Sequence, residues 1–199
     1  MARPARPTLS GLPIELRQEI LSHIDHPHSL KAAVTASQSL AEALQGSGGN
    51  DIVGKVFSQA VSLPLVPEAV AVLQARQRQN LDFDAVVKFL RDYFSSLEAS
   101  CPQYRWSLQN AVAAYDLHKA VQKLADEFVY EALSREPSTD ERIELSRITL
   151  PDEQELERIH RAFYRFEFYC NIHPYFASQP QSSRRQIKHF FCLVCSVGC

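Results

Sequence analysis

The residues whose spacing best suits chemistry are His189, Cys192, Cys195 and Cys199, which lie within one short stretch. Zinc takes four cysteine or histidine ligands, and a Cys-x-x-Cys spacing lets one turn supply two of them. Structural zinc sites, however, usually separate two ligand pairs by a dozen or more residues around a folded loop. The spacing therefore favours free, oxidisable thiols over a metal site, and we expect neither a metal nor another cofactor.

The remaining candidates for chemistry are histidines and paired carboxylates. His23, His26 and His28 cluster where a predicted helix ends, a position at which protonated imidazoles suit the helix dipole. The acidic pairs at 140–141 and 152–153 are more typical of helix starts than of general acids. Neither a glycine-rich phosphate loop nor a Gly-x-Ser-x-Gly or His-Glu-x-x-His motif occurs. We therefore expect no catalytic residues and no enzymatic activity.

The charge balance and the lengths of the apolar runs argue against two classes of partner. Lys and Arg number 21 against 23 Asp and Glu, a net charge of −2, so the basic excess of a nucleic-acid-binding domain is missing. Arg161 and Arg165 do interleave with aromatic residues, but glutamates share that helix, and a buried helix explains the pattern better. Because no run of eighteen apolar residues occurs, we also expect no membrane association.

The N-terminal residues 1–10 carry arginines with no apolar run behind them, which is unlike a secretory signal. The cysteine count is odd, at 5, and is compatible with free thiols in a reducing compartment. We therefore expect a cytoplasmic or nuclear location.

Hydrophobic spacing predicts helices along most of the chain, and the Asn-Gly and Asp-Gly pairs of tight hairpins are missing. Pro13 suits the first turn of an amphipathic helix, because the N–H that proline lacks has no partner there. Ser29 is predicted to cap the second helix, and a third covers residues 40–44. The glycine-rich stretch 45–50 is predicted to be a linker.

Two long helices are predicted in the remainder of the chain. The first covers residues 107–134, with Ser107 as its cap. The second covers residues 150–172, with Thr149 and Asp152 forming a capping box.

A wider pattern surrounds the first predicted helix. Leu12-Pro13-Ile14-Glu15-Leu16 is followed by Ile20-Leu21, a turn containing proline, and Ser29-Leu30-Lys31-Ala32-Ala33-Val34. Over residues 10–44 this pattern resembles the F-box, and most closely the F-box-like proteins abundant in filamentous fungi. Residues 149–172, with Arg158-Ile159 and Arg161-Ala162-Phe163-Tyr164-Arg165-Phe166-Glu167, resemble a helical segment of the same group.

The resemblance implies a non-enzymatic subunit of a cullin-RING ubiquitin ligase, bound to the Skp-type adaptor and holding a protein substrate. Such docking is recognition of a helix by a groove. Carried over by position, the apolar adaptor-binding residues are Leu12, Pro13, Leu16, Ile20, Leu21, Ile24 and Leu30, with Glu15 near the rim. The alternative is an all-helical protein-interaction module with no ubiquitin-ligase role, in which Leu12 and Leu16 pack inside the chain.

These observations predict an all-α protein in three parts. An F-box-like unit of three helices covers 8–48, a helical domain of four to five helices covers 49–172, and a flexible tail covers 173–199. Three interpretations of the apolar run 190–195 within the tail stay open: it is an aggregation hazard, it covers a groove in the helical core, or it is not a selected sequence, as at a truncated or mis-spliced end. The predicted core of the second part is Phe57, Phe83, Val87, Leu90, Phe94, Trp106, Leu108, Tyr115, Leu124, Phe128, Ile159, Phe163 and Phe166.

Overall fold

The computed structural model describes residues 8–78, 83–98, 104–135, 139, 141–143 and 150–177. Within these ranges the regular secondary structure is helical and no β-strand forms, apart from a single antiparallel bridge between Arg135 and Arg142. This confirms the predicted all-α class. The predicted flexible tail began at residue 173, but residues 173–177 are helical because they continue the last helix of the described chain. The cysteine stretch and residues 178–199 of the predicted tail lie outside the described residues.

Eight α-helices and two short 3-10 helices make up the described ranges. The α-helices are α1 (Ile14–Ser22), α2 (Pro27–Ala36), α3 (Gln38–Gln45), α4 (Gly49–Ala60), α5 (Val66–Gln77), α6 (Phe83–Glu98), α7 (Leu108–Leu133) and α8 (Glu153–Ala177). The 3-10 helices are Leu9–Gly11 and Leu63–Leu65.

The chain divides into two compact units that alternate along the sequence. The first unit comprises the described parts of Met1–Val66 and Gln103–Asp126, and the second those of Pro67–Pro102 and Glu127–Cys199. The domain boundaries expected after residues 48 and 172 stay a prediction.

The first unit is a bundle in which α3 packs on α1 and on α2, and all three helices pack on α4. Leu21, Leu30 and Phe57 are among its fully buried side chains. The Trp106 ring lies 4.1 Å from that of Phe57, measured between centroids. A Cβ on Gly54 would lie 3.0 Å from the Trp106 ring, so a glycine there lets the indole approach α4 closely.

In the second unit, α8 packs on α6 through aromatic side chains. The Phe168 ring lies 5.7 Å from that of Phe89 and 4.9 Å from that of Tyr93, at angles typical of tilted aromatic pairs. Tyr164 and Ile172, on the same face of α8, are fully buried.

The predicted core is right in part. Phe57, Leu90 and Trp106 are buried as expected. Leu124, Phe128 and Phe166, by contrast, are exposed. Their placement in the core was wrong because α7 and α8 each carry apolar residues on more than one face, and spacing alone does not decide which face is covered. Half-buried positions are Val87, Phe94, Leu108, Tyr115, Ile159 and Phe163, and the Phe83 side chain lies outside the described set.

Helix starts show where local chemistry differs from the prediction. Ser29 is not the cap of α2, since its backbone N–H donates to Nδ1 of His26, the extended residue before Pro27. Thr149 of the predicted capping box lies outside the described residues, and a capping box is formed at the start of α8 by Asp152 and Glu155. Asp152 and Glu155 accept hydrogen bonds from each other's backbone N–H, at 2.8 and 3.1 Å. By contrast, Ser107 caps α7 as predicted, accepting from the Asn110 N–H at 3.1 Å.

The predicted linker over residues 45–50 is a tight turn between α3 and α4. Gly48 adopts φ +99°, a left-handed conformation that favours glycine. Gly49 is the first residue of α4 and is buried against the end of α3. A Cβ on Gly49 would lie 1.8 Å from the Leu44 carbonyl oxygen, which is too close for any side chain. Consecutive glycines are therefore required for α4 to return against α3.

We predict that Gly49→Ala lowers the free energy of unfolding by about 1–3 kcal/mol, because the Leu44 carbonyl must move. Gly48→Ala should cost about 1–2 kcal/mol, since the space is open but the backbone conformation is strained. Gly11→Ala is the control, because its nearest neighbour would be Thr8 Oγ1 at 3.6 Å. Urea unfolding followed by far-UV circular dichroism measures all three, and a Gly49→Ala variant as stable as the parent would contradict the tight turn.

Candidate protein-binding surface

Helix α1 has one apolar face in solvent. Leu16 is 51% exposed and Ile20 is 43% exposed. They are four residues apart, and Pro13 precedes Leu16 by three, so all three lie along one side of the helix. We call Pro13, Leu16 and Ile20 the α1 stripe. Glu15 and Glu19, both exposed, lie beside it and give it an acidic edge.

The predicted adaptor-binding residues fall into three groups by exposure. Pro13, Glu15, Leu16 and Ile20 are exposed, Leu12 and Ile24 are half-buried, and Leu21 and Leu30 are fully buried in the first unit. The structure thus exposes four of the eight residues along α1 and places Leu21 and Leu30 in the core of the first unit.

Polar contacts fix the orientation of α1 against α3. Arg17 Nη1 donates to the Ser39 carbonyl at 2.8 Å. Gln18 Nε2 donates to the carbonyls of Ala43 and Ser47, each at 3.0 Å. Of these carbonyls, that of Ala43 lies in the last turn of α3, where a carbonyl lacks a partner within its own helix. Gln18 therefore satisfies a group that packing would otherwise leave buried and unpaired.

The carboxyl end of α1 is held by α4. Ser22 is buried, and Lys55 Nζ donates to its hydroxyl at 3.1 Å. Gln59 Nε2 donates to the Ser22 carbonyl at 3.4 Å. The sequence analysis did not predict these contacts of Arg17, Gln18 and Ser22. The three residues lie three, four and eight positions after Ile14, which is the spacing of one face of a helix.

The three clustered histidines have separate roles. His26 caps α2 and its ring stacks on Tyr115, with centroids 5.4 Å apart. His28 forms a hydrogen-bonded pair with Asp116 at 2.6 Å. His23 pairs with a glutamate on its own helix. Among the described residues, no group of three or more His, Cys, Asp or Glu side chains could hold a metal ion.

A second polar cluster is buried in the second unit. Glu68 of α5 is only 3% exposed, and its Oε1 lies 3.1 Å from Arg161 Nε on α8. Arg161 also donates to Glu157 at 2.8 Å. Burial raises the pKa of the Glu68 carboxyl above its ordinary value, and the attraction of Arg161 offsets this only in part. Burial likewise raises the pKa of the Tyr93 hydroxyl, which therefore stays protonated.

This cluster joins α5 to α8. Near the other end of α5, Arg76 Nη2 lies 2.7 Å from Glu167 Oε1. The hydrogen bond from Arg76 lowers the pKa of Glu167, and a second one from Asn171 acts in the same direction. Two ion pairs thus set the register of α8 along α5, one buried and one half-exposed.

None of the described helices combines the length and the apolar character of a membrane-spanning segment. Helix α4 and the segment Leu63–Gln77 have that length and character only together, and the pair is bent by 106°.

Comparisons with protein-family models, curated proteins and solved structures each find no match to this chain.

We predict opposite pH dependences for two conservative variants of the cluster. The pKa of Glu68 is raised in the folded state, so its stabilising contribution is present below the ordinary value of 4.5 and is lost as pH rises through the folded-state pKa. The free energy of unfolding of the parent, relative to that of Glu68→Gln, should therefore fall as the pH rises from 4.5 through the folded-state pKa of Glu68.

Glu167 provides the matched comparison. Its pKa is lowered, so its contribution is present above 4.5 and is lost as pH falls through the folded-state pKa. The stability of the parent relative to Glu167→Gln should therefore rise with pH. Urea unfolding over a pH series measures the difference in free energy of unfolding between the parent and each variant. If the difference for Glu68→Gln rises with pH, the attraction of Arg161 outweighs burial in setting the pKa of Glu68.

Proposed function

We propose that this chain is a non-enzymatic F-box-type subunit that docks on the Skp-type adaptor of a cullin-RING ubiquitin ligase and recruits a protein substrate. The observation that supports this most is the exposure of Leu16 and Ile20 on α1. In the F-box pattern that residues 10–44 resemble, those positions contact the adaptor. In such a role the chain would act in the cytoplasm or nucleus.

The arrangement of the first three helices also supports an F-box-like unit over residues 8–48. Helices α1, α2 and α3 are short, follow one another closely and pack together. Ser37 interrupts the helical path between α2 and α3 with an extended backbone, so the second and third helices are distinct. The second unit would then supply the substrate-binding surface.

The proposal assigns different roles to the residues of the predicted site. Leu21 and Leu30 stabilise the unit from within, because both are fully buried. The contacts with the adaptor would come from the α1 stripe, with Leu12 and Ile24 at its ends and Glu15 at its rim. Each buried leucine or isoleucine contributes about 1.5–3 kcal/mol to such an interface before the costs of binding.

The alternative function is an all-helical protein-interaction module with no ubiquitin-ligase role. The burial of Leu21 and Leu30 favours it, because two of the positions carried over from the F-box pattern are already covered by this chain. The alternative predicted that Leu12 and Leu16 pack inside the chain, whereas Leu16 is 51% exposed and Leu12 is half-buried. Under this function the α1 stripe would therefore bind a different protein.

We predict that the full-length chain binds a Skp-type adaptor from a filamentous fungus, and that Leu16→Ala/Ile20→Ala raises the Kd on the order of a hundredfold. Two anchors at about 1.5 kcal/mol each account for that change. Because both side chains are exposed, the fold should survive, which circular dichroism checks. Leu63→Ala is the matched control: Leu63 lies in the same unit and is 68% exposed.

Isothermal titration calorimetry of the adaptor against the parent and both variants decides between the two functions. A folded parent that does not bind the adaptor would contradict the ligase role. Equal affinities of the parent and the double variant would place the interface elsewhere on the chain.

A further inference from the structure

Helix α8 carries two apolar faces, and one of them faces solvent. Tyr164, Phe168 and Ile172 form the inner face and are buried. Phe166, two residues from both Tyr164 and Phe168, is 65% exposed. The outer face of α8 consists of Ile159, Ala162, Phe163, Phe166 and Tyr169, which recur at helical spacing along one side.

Helix α7 extends the outer face. Phe128 is 53% exposed, and its ring lies 6.0 Å from that of Phe163 in an edge-on arrangement. The result is a continuous aromatic surface within the second unit. Contiguous apolar surface of this kind marks an interaction site or an aggregation liability, because leaving it in water forgoes the free energy of burial.

We propose that this outer face is the docking site for residues 190–195 of the same chain. That segment reads Phe-Phe-Cys-Leu-Val-Cys, with neither a charge nor a proline, so its composition complements an aromatic surface. A segment buried on one side and lacking charges avoids the desolvation penalty that a charged occupant would incur. The inference stands independently of the proposed function.

The length of chain between α8 and this segment permits the contact. Phe166 lies about 17 Å back along the helix from Ala177, at 1.5 Å per residue. Residues 178–189 could span up to about 40 Å when extended, at 3.3 Å per residue. The chain can therefore turn back along α8 and reach the middle of its outer face without strain.

Covalent connection favours this occupant over a separate molecule. A connection long enough to span the distance holds a tethered segment at an effective concentration on the order of millimolar. A second copy of the chain, or another protein, must reach the same surface from far more dilute solution. The chain's own apolar segment thus has the advantage even at modest intrinsic affinity.

A natural cysteine reports on the contact. Cys170 is exposed on α8, one turn after Phe166, and Cys192 lies within the docking segment. In a full-length background with Cys101, Cys195 and Cys199 replaced by serine, oxidised glutathione should produce an intramolecular Cys170–Cys192 disulfide. Its rate of formation, measured by mass spectrometry under non-reducing conditions, should not depend on protein concentration.

Two variants change opposite sides of the contact: Phe166→Asp on α8, and Phe190→Asp/Phe191→Asp in the docking segment. Each should lower the rate of disulfide formation at least tenfold. Leu63→Asp is the control for adding a carboxylate at an exposed apolar position, and it should leave the rate unchanged. Circular dichroism establishes that each variant keeps its helicity.

Two results would overturn the proposal. Equal rates in the parent and all variants would show that residues 190–195 do not rest on the outer face. A disulfide between the Cys170 residues of two chains, growing with concentration and lost in Phe166→Asp, would assign the face to a second copy instead.

Discussion

The hydrogen bonds from α1 to the backbone of α3 are the constraint on which the candidate surface depends. Gln18 satisfies two carbonyls near the end of α3, and Arg17 satisfies a third near its start. Neither donor can reach those oxygens if α1 rotates about its axis. With the inner face fixed in this way, Leu16 and Ile20 have no place in the core and must face solvent.

The glycine turn completes this constraint. Because Gly48 and Gly49 let α4 return directly after α3, Lys55 and Gln59 come within reach of Ser22 at the end of α1. The middle and the carboxyl end of α1 are therefore held by polar contacts, and Leu21, which lies between Gln18 and Ser22, is fully buried. A short helix of low intrinsic stability thus gains a defined orientation from its neighbours.

The sequence predicted the existence and type of the helices well, because helical spacing and cap residues are local signals. Ser107 at the start of α7 illustrates this, since its side chain caps the helix as expected. The face that each helix buries was harder to predict. Phe166 and Phe168 are two residues apart, and Phe168 is the one that is covered, because Phe89 and Tyr93 of α6 lie against it. For the same reason, spacing alone did not reveal that Leu21 and Leu30 would be buried while Leu16 is exposed.

We propose that the solvent-facing side of α1 is a protein-binding surface for a Skp-type adaptor. Amide hydrogen exchange of the full-length chain, with and without the adaptor, tests it most directly because it locates the contact without any substitution. We expect the adaptor to slow amide exchange over residues 12–24 and to leave the exchange rates in α8 unchanged. Protection of α8 with no change over residues 12–24 would contradict it.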